Sequence, residues 1–274
     1  MAFLTHNDLQ VTEREITLPG WPAALNGLRV AQISDLHFYE YSSPAYYDSA
    51  FRVLDDLTPD LLLLTGDIVH WGTAYLPMAA EFLSRTRAKY GKIAILGNHD
   101  FAVNGTDRTS VQAPFFDTLN ACGFTTLKNE HARLTIHGVP LYVAGLHDLW
   151  YGRPDIEQAL AGIPEEAALV MLSHNPLMFD PVACHFSDRV HLVLSGHTHA
   201  GHVYIPFLKP VYEKIFRMKY RYGLFHKEDC TLHVTSGIGS AAFYCKRFGF
   251  GFPRFRWNTR PEIALLRLQG YNGG

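Results

Sequence analysis

Sulfur is scarce in this chain. Four cysteines, Cys122, Cys184, Cys230 and Cys245, are spread over 274 residues, and no two stand at the CxxC spacing of a zinc ribbon or a dithiol redox site. Each has apolar or aromatic neighbours, so reduced, partly buried thiols in a reducing compartment are expected. Long apolar runs are missing near the start. The first 30 residues carry His6, Asp8, Glu13, Arg14 and Glu15 and hold no stretch long enough for a signal peptide or a membrane span. A soluble, cytoplasmic protein is expected. The absence of a Ser/Gly/Pro-rich linker and of internal repeats argues against tandem domains, which leaves a single domain over residues 1–274 as the expectation. Charge of one sign is lacking as well: the formal net charge is -2, which selects no class of partner on its own.

What the chain does have is apolar residue content, 47%, enough to fill a substantial core. Much of it falls in short, near-continuous runs: Leu28 to Asp35, Leu61 to Asp67, Lys92 to Asn98, Ala168 to His174 and Val190 to Gly196. Runs of that kind are what strands buried on both faces look like. Segments of helical character lie among them, at Pro44 to Leu57, Ala74 to Tyr90, Ser110 to Ala121 and Asp155 to Ala161. Strand–helix alternation points to α/β layering with right-handed crossovers. Later the strands crowd together. Ala132 to Ile136 and Leu141 to Gly145 read as a hairpin, and Thr231 to Ser236 and Glu262 to Leu268 as further strands. The expected fold is α/β, a four-layer αββα sandwich of two mixed β-sheets flanked by helices.

Each of the five apolar runs ends in a cluster of metal-ligand residues. The clusters are Asp35-Leu36-His37, Gly66-Asp67, Gly97-Asn98-His99-Asp100, Ser173-His174-Asn175 and Gly196-His197-Thr198-His199. Ligands of such sheets collect beyond the carboxyl ends of the strands, where all five lie. A lone Asp or His at a strand end is more often a cap than a ligand. Five together supply carboxylate, amide and imidazole donors without sulfur, a set suited to divalent cations of the Mn, Fe and Zn kind. The set is too large for one ordinary site and right for two that share a bridge. Two ions about 3.5–4 Å apart can clamp both the attacking oxygen and the phosphoryl oxygens in a displacement at phosphorus. Asp67 is the natural bridge, because a carboxylate has two oxygens to divide. Alternate residues of an extended segment point the same way, so Asp35 and His37, and likewise His197 and His199, are expected to reach one cluster each.

The series DxH, GD, GNH[D/E], H and GHxH resembles the calcineurin-like metallophosphoesterase superfamily, all five parts being present in order between residues 35 and 199. The resemblance implies a metal-dependent phosphoesterase with one ion held by Asp35, His37, Asp67 and His199 and the other by Asp67, Asn98, His174 and His197. It makes His99 a non-ligand histidine near the leaving group, with Asp100 orienting it. Mn and Fe are the expected ions, and Zn, Ni, Co or Mg also suit parts of the donor set. Over nearly the whole chain the style is similar to a bacterial branch of YkuE- and YaeI-like phosphodiesterases and to chlamydial-type hydrolases of UDP-2,3-diacylglucosamine. Where branch members commonly read GHTHGGQ, this chain has Ala200 and His202.

Other positions are open to two readings. His202 is a candidate ligand or substrate contact, His147 and Asp148 are candidates to line the cleft, His70 is a further one, and Tyr39 reads equally as a loop aromatic. Residues 203–260 hold 11 Lys/Arg against 3 Asp/Glu, a balance of +8 against -10 elsewhere. In this basic, aromatic-rich region Lys214, Arg217 and Arg221 are candidate substrate contacts. Aromatics mixed with cations suit an anionic lipid surface, or stack a base and pair with phosphates, or pack inward while the cations stay solvated. The expected substrate is a phosphate-containing small molecule or a lipid-linked one, held by an enzyme that can touch the inner face of an anionic membrane peripherally; no specific protein or nucleic-acid partner is expected. Hydrolysis of a phosphodiester or pyrophosphate bond is the leading expectation, with a phosphomonoesterase or protein phosphatase, a nuclease and a non-catalytic scaffold as the alternatives.

Overall fold

The computed structural model describes residues 9–101, 112–201, 218–240, 243–245, 250–252, 256 and 258–271. Among them are fourteen strands and five α-helices. The strands are β1 (Gln10–Leu18), β2 (Leu28–Ile33), β3 (Leu61–Thr65), β4 (Gly91–Ile95), β5 (Phe124–Thr126), β6 (Glu130–Ile136), β7 (Val139–Gly145), β8 (Ala168–Leu172), β9 (Leu192–Ser195), β10 (Gly223–Lys227), β11 (Cys230–Val234), β12 (Phe243–Cys245), β13 (Phe250–Phe252) and β14 (Glu262–Gly270). The helices are α1 (Pro44–Asp56), α2 (Leu76–Leu83), α3 (Gln112–Ala121), α4 (Ile156–Leu160) and α5 (Phe179–His185).

Two six-stranded mixed sheets carry the structure, in the orders β1-β14-β2-β3-β4-β5 and β10-β11-β9-β8-β7-β6. β2, β3 and β4 run parallel to one another, as do β7, β8, β9 and β11. The sandwich follows from the pleat, which sends successive side chains to opposite faces. Leu61 and Leu63 of β3 face the second sheet, where Val143, Val170 and Leu194 meet them. Leu62 and Leu64, one residue out of phase, face α1 and α2 through Ala50, Leu54, Ala79 and Phe82. On the far side Leu169, Met171 and Val193 pack against α4 and α5. Both faces of both sheets are therefore buried, which is why the central strands carry no polar alternation.

Several expectations need adjustment. The expected helix from Ala74 to Tyr90 is ordered as helix over Leu76–Leu83 only. The hairpin turn is His137-Gly138, with β6 and β7 longer than expected. β1 is a strand the sequence does not announce: burial alternates along Gln10–Leu18, but Val11 is on the exposed side while Gln10, Thr12 and Arg14 are on the more buried one. Among the cysteines whose side chains are described, Cys122 and Cys230 are buried thiols, but Cys184 is exposed on α5. Its apolar neighbours turn to the core while Cys184 falls on the opposite stripe of the helix.

Candidate metal centre

The five clusters converge where the carboxyl ends of β2, β3 and β4 in one sheet meet those of β8 and β9 in the other. The local backbone is not the extended one expected from the sequence. β2 ends at Ile33, and Asp35 and His37 stand at φ of 52° and 50°. Asp67, His197 and His199 also lie in the left-handed region, at 56°, 71° and 49°. Non-glycine residues seldom adopt that region, and they persist in it where the surroundings over-determine them. Here the surroundings are backbone pairings between neighbouring loops: Asp35 N–H donates to Gly66 O at 2.9 Å, His37 N–H to Asp67 O at 3.0 Å, and Gly239 N–H to Asp35 O at 2.8 Å. Asp35 and His37 thus share a site because both turn in a left-handed kink, with Leu36 fully buried in the core between them.

Close approach of the loops requires glycine, and at two of these positions the neighbour is a candidate carboxylate donor. A Cβ on Gly97 would lie 2.3 Å from Asp67 Oδ1, and one on Gly196 would lie 2.3 Å from Asp35 Oδ2 and 2.0 Å from Ser34 Oγ. Both glycines therefore seat the carboxylates.

The donor atoms fall into two groups. In the first, Nε2 of His37 and Nε2 of His199 are 2.9 Å apart, and Asp35 Oδ1 is 3.3 Å from the latter. In the second, His174 Nε2 lies 3.1 Å from Asp67 Oδ2, 3.2 Å from Asn98 Oδ1 and 3.3 Å from His197 Nδ1. Asp67 Oδ2 is also 3.6 Å from His37 Nε2, so its carboxylate stands between the groups. Asp35, His37, Asp67, Asn98, His174 and His199 are all buried. Burial opposes ionisation of His174, but the charges of Asp67, Asp35 and Asp148 outweigh it and push the imidazole up to about 10. His197 goes the other way, down to about 3, because burial and the neighbouring His174 both oppose a second positive charge. A buried, electronegative nest of nitrogen and oxygen atoms without sulfur fits a pair of divalent cations by its donor chemistry.

Outer contacts fix the rings. His174 Nδ1–H donates to Thr65 O at 2.7 Å, which turns Nε2 to the site. His99 Nδ1–H donates to His70 O at 2.7 Å, while its backbone N–H donates to Asp67 Oδ1 at 2.8 Å. Asp100 therefore does not orient His99, contrary to the expectation from the motif. Its carboxylate accepts from the backbone N–H groups of Gly97, Asp67 and Ile68 at 2.9 Å and of Val69 at 3.2 Å, and so welds two of the loops together. Four donors on a buried side chain leave it no capacity to serve the adjacent histidine.

The remaining candidates are placed as follows. His147 accepts from Arg153 N–H on Nδ1 at 2.8 Å and packs on Phe101, and burial lowers it to about 4. Asp148 is buried and accepts from the N–H groups of Trp150 and Tyr151 at 2.9 and 2.7 Å, shaping the turn that carries Trp150. Arg221 donates to Ala200 O at 2.5 Å and its carbonyl accepts from Thr198 Oγ1, so it braces the GHxH loop. His202, Lys214 and Arg217 lie outside the described residues. Sequence reasoning missed Arg256, whose guanidinium lies 3.2 Å from His199 Nδ1 and donates to the carbonyls of Ser236, Gly237 and Gly239. It also missed Trp71 and Trp150. Trp71 packs on His99 at 4.5 Å between ring centroids, and Trp150 meets His197 edge-on at 4.4 Å. The adjacency of Trp71 to His70, just past the second motif, was the signal available.

Comparison with known proteins supplies the family. A model described as calcineurin-like phosphoesterase matches residues 28–201. The Bacillus subtilis metallophosphoesterase YkuE is 28% identical over 98% of this chain and 89% of its own length. The Chlamydia trachomatis UDP-2,3-diacylglucosamine pyrophosphatase LpxG is 28% identical over 96% of this chain and 90% of its own. A Danio rerio transmembrane protein with a metallophosphoesterase domain is 29% identical, and there the alignment covers 95% of this chain but 57% of the relative.

Proposed function

Since the chain belongs to the calcineurin-like phosphoesterase family and is thereby a metal-dependent hydrolase acting on phosphate-containing compounds, we propose that it cleaves a phosphodiester or pyrophosphate bond in a nucleotide-linked or lipid-linked substrate of the UDP-2,3-diacylglucosamine kind. The observation that carries the reading is the position of Asp67, whose Oδ2 lies 3.1 Å from His174 Nε2 and 3.6 Å from His37 Nε2, between two groups of donors. What supports the finer substrate class is likeness to LpxG over nearly the full length of both chains.

Asp35, His37, Asp67 and His199 would hold one ion, and Asp67, Asn98, His174 and His197 the other, with Mn or Fe as the occupants. Bound there, two divalent ions supply Lewis-acid charge and a water made nucleophilic near neutral pH. The chain's own residues do the rest. Asp35 and Asp67 set the negative field that holds the cations, and the buried loops exclude bulk water around them. His99 keeps one proton on Nδ1, held by His70 O at 2.7 Å. Its Nε2 is then the nitrogen that can carry a second proton to the departing oxygen. Asp100 keeps the loops of Asp67 and His99 in one rigid unit.

Residues 1–274 act as one domain in this reading, and its basic aromatic region gives peripheral contact with anionic lipid. Among the described residues no helix is long and apolar enough to cross a membrane. Charge reversal at Lys214 and Arg217 tests the lipid contact by liposome co-sedimentation; Arg221 is unsuited to that test because it braces the loop of His197 and His199. For the reaction, Mn-reconstituted protein is to be compared on bis-(p-nitrophenyl) phosphate, p-nitrophenyl phosphate and UDP-2,3-diacylglucosamine. Preference for the diester and release of UMP from the sugar nucleotide are expected. Preference for the monoester would favour a phosphomonoesterase instead.

A further inference from the structure

Large apolar side chains are rarely left half in water beside a buried polar site, and here two are. Trp71 and Trp150 are 49% and 56% exposed, although His70 beside Trp71 is buried and His99 and His197, the rings they pack on, are partly buried. Each is held in place. Trp71 packs on His99 and on His70, which themselves stack at 4.9 Å. Trp150 rides on a turn fixed by the buried carboxylate of Asp148 and meets His197 at 4.4 Å. The two indoles stand at opposite ends of one chain of contacts. It runs from His99 through its 2.8 Å bond to Asp67, across the 3.1 Å pair of Asp67 with His174, and on to His197. A third exposed aromatic, Tyr41 at 68%, contacts Tyr39 just beyond the first motif.

A rigid indole with one face in water offers planar, sequence-tolerant stacking. We propose that Trp71 and Trp150 are substrate-stacking residues on either side of the scissile phosphorus and select diesters or pyrophosphates that carry a planar ring. Trp71, against His99, takes the ring of the departing group. Trp150, against His197, takes the ring that stays on the phosphate, a nucleoside base being the ligand chemistry that fits. The assignment of sides rests on the proposed function, through the role of His99.

Two substrates with the same leaving group isolate the effect: thymidine 5′-(p-nitrophenyl phosphate), whose retained half carries a base, and ethyl p-nitrophenyl phosphate, whose retained half does not. Trp150→Ala is expected to lower the ratio of kcat/KM for the first over the second about tenfold, and Trp150→Phe to restore most of it. Trp71→Ala is expected to lower kcat/KM on both substrates by a similar factor, leaving the ratio as in the wild type. A ratio unmoved in Trp150→Ala, a ratio that Phe fails to restore, or Trp71→Ala rates equal to the wild type would each overturn the inference. If the wild-type protein turned over neither diester, the diesterase reading itself would fail, a result distinct from all of these.

Discussion

His37 Nε2 and His199 Nε2 face each other at 2.9 Å, although one follows a strand of the first sheet and the other a strand of the second. Two imidazoles aimed nitrogen to nitrogen repel unless a proton or a cation lies between them. Bound cations at this seam would join the two sheets directly. Saturating Mn²⁺ is therefore expected to raise Tm by roughly 5–10 °C over chelator-treated protein. Calorimetry of the two forms checks it, and equal Tm values would argue against a metal held by residues of both sheets.

His99 and Asn98 are adjacent and are expected to fail differently. His99→Ala should lower kcat by about 10²- to 10⁴-fold with two metals per chain retained, since its ring nitrogen bonds His70 O rather than a donor of either group. Asn98→Ala should weaken one ion by about tenfold or more, because its Oδ1 lies 3.2 Å from His174 Nε2. Metal analysis alongside kinetics separates the two, and an empty site in His99→Ala would make that histidine a metal ligand rather than a proton donor.

Gly196→Ala tests whether the carboxylates are seated by close packing. The new Cβ would stand 2.3 Å from Asp35 Oδ2. Asp35 must move, and a shift near 1 Å at a reacting centre can cost about 100-fold in rate. Loss of one metal equivalent and a rate drop of that order are expected. A fully loaded, active variant would show that the loop yields.

Glu262 gives a prediction in pH. Burial alone would raise its carboxyl. Hydrogen bonds from Thr12, Ser236 N–H and Thr235 and the charge of His233 outweigh burial and hold it below its ordinary 4.5. A lowered folded-state value means that the stability it contributes is complete above pH 4.5 and is lost as pH falls through the folded value. Glu262→Gln should cost about 1–3 kcal/mol at pH 7 and flatten the acid limb of stability. Urea unfolding of both proteins at pH 7 and pH 4 measures it; parallel pH profiles would refute the assignment.

The sandwich could be read in advance because buried strands leave a plain mark. Leu61 to Leu64 are apolar on both faces, as are the equally short runs of β8 and β9. The seven candidate donors were legible for the same reason, each standing where such a run stops. What could not be read was how the loops hold them. Asp100 looks like a partner for His99 in sequence, yet its oxygens are taken by four backbone N–H groups from two loops. Arg256 reaches His199 from a distant cation-rich segment whose composition suggested solvent or lipid. Backbone amides have no sequence signature, and a guanidinium turned inward has the same letter as one turned out.

β14 lies between β1 and β2 in the first sheet, pairing Gln10 with Glu262 on one side and Gln32 with Ala264 on the other. Its position has a consequence for synthesis. Every donor of the two groups has left the ribosome once residue 199 has, but the sheet that aims Asp35 and His37 lacks the strand between β1 and β2 until residues 262–270 follow. Such long-range pairing forms slowly and leaves strand edges open meanwhile. The nascent chain therefore carries the donors of both groups well before it has the geometry to use them; until β14 arrives, β2 is unpaired along one edge and β1 has no partner in its sheet.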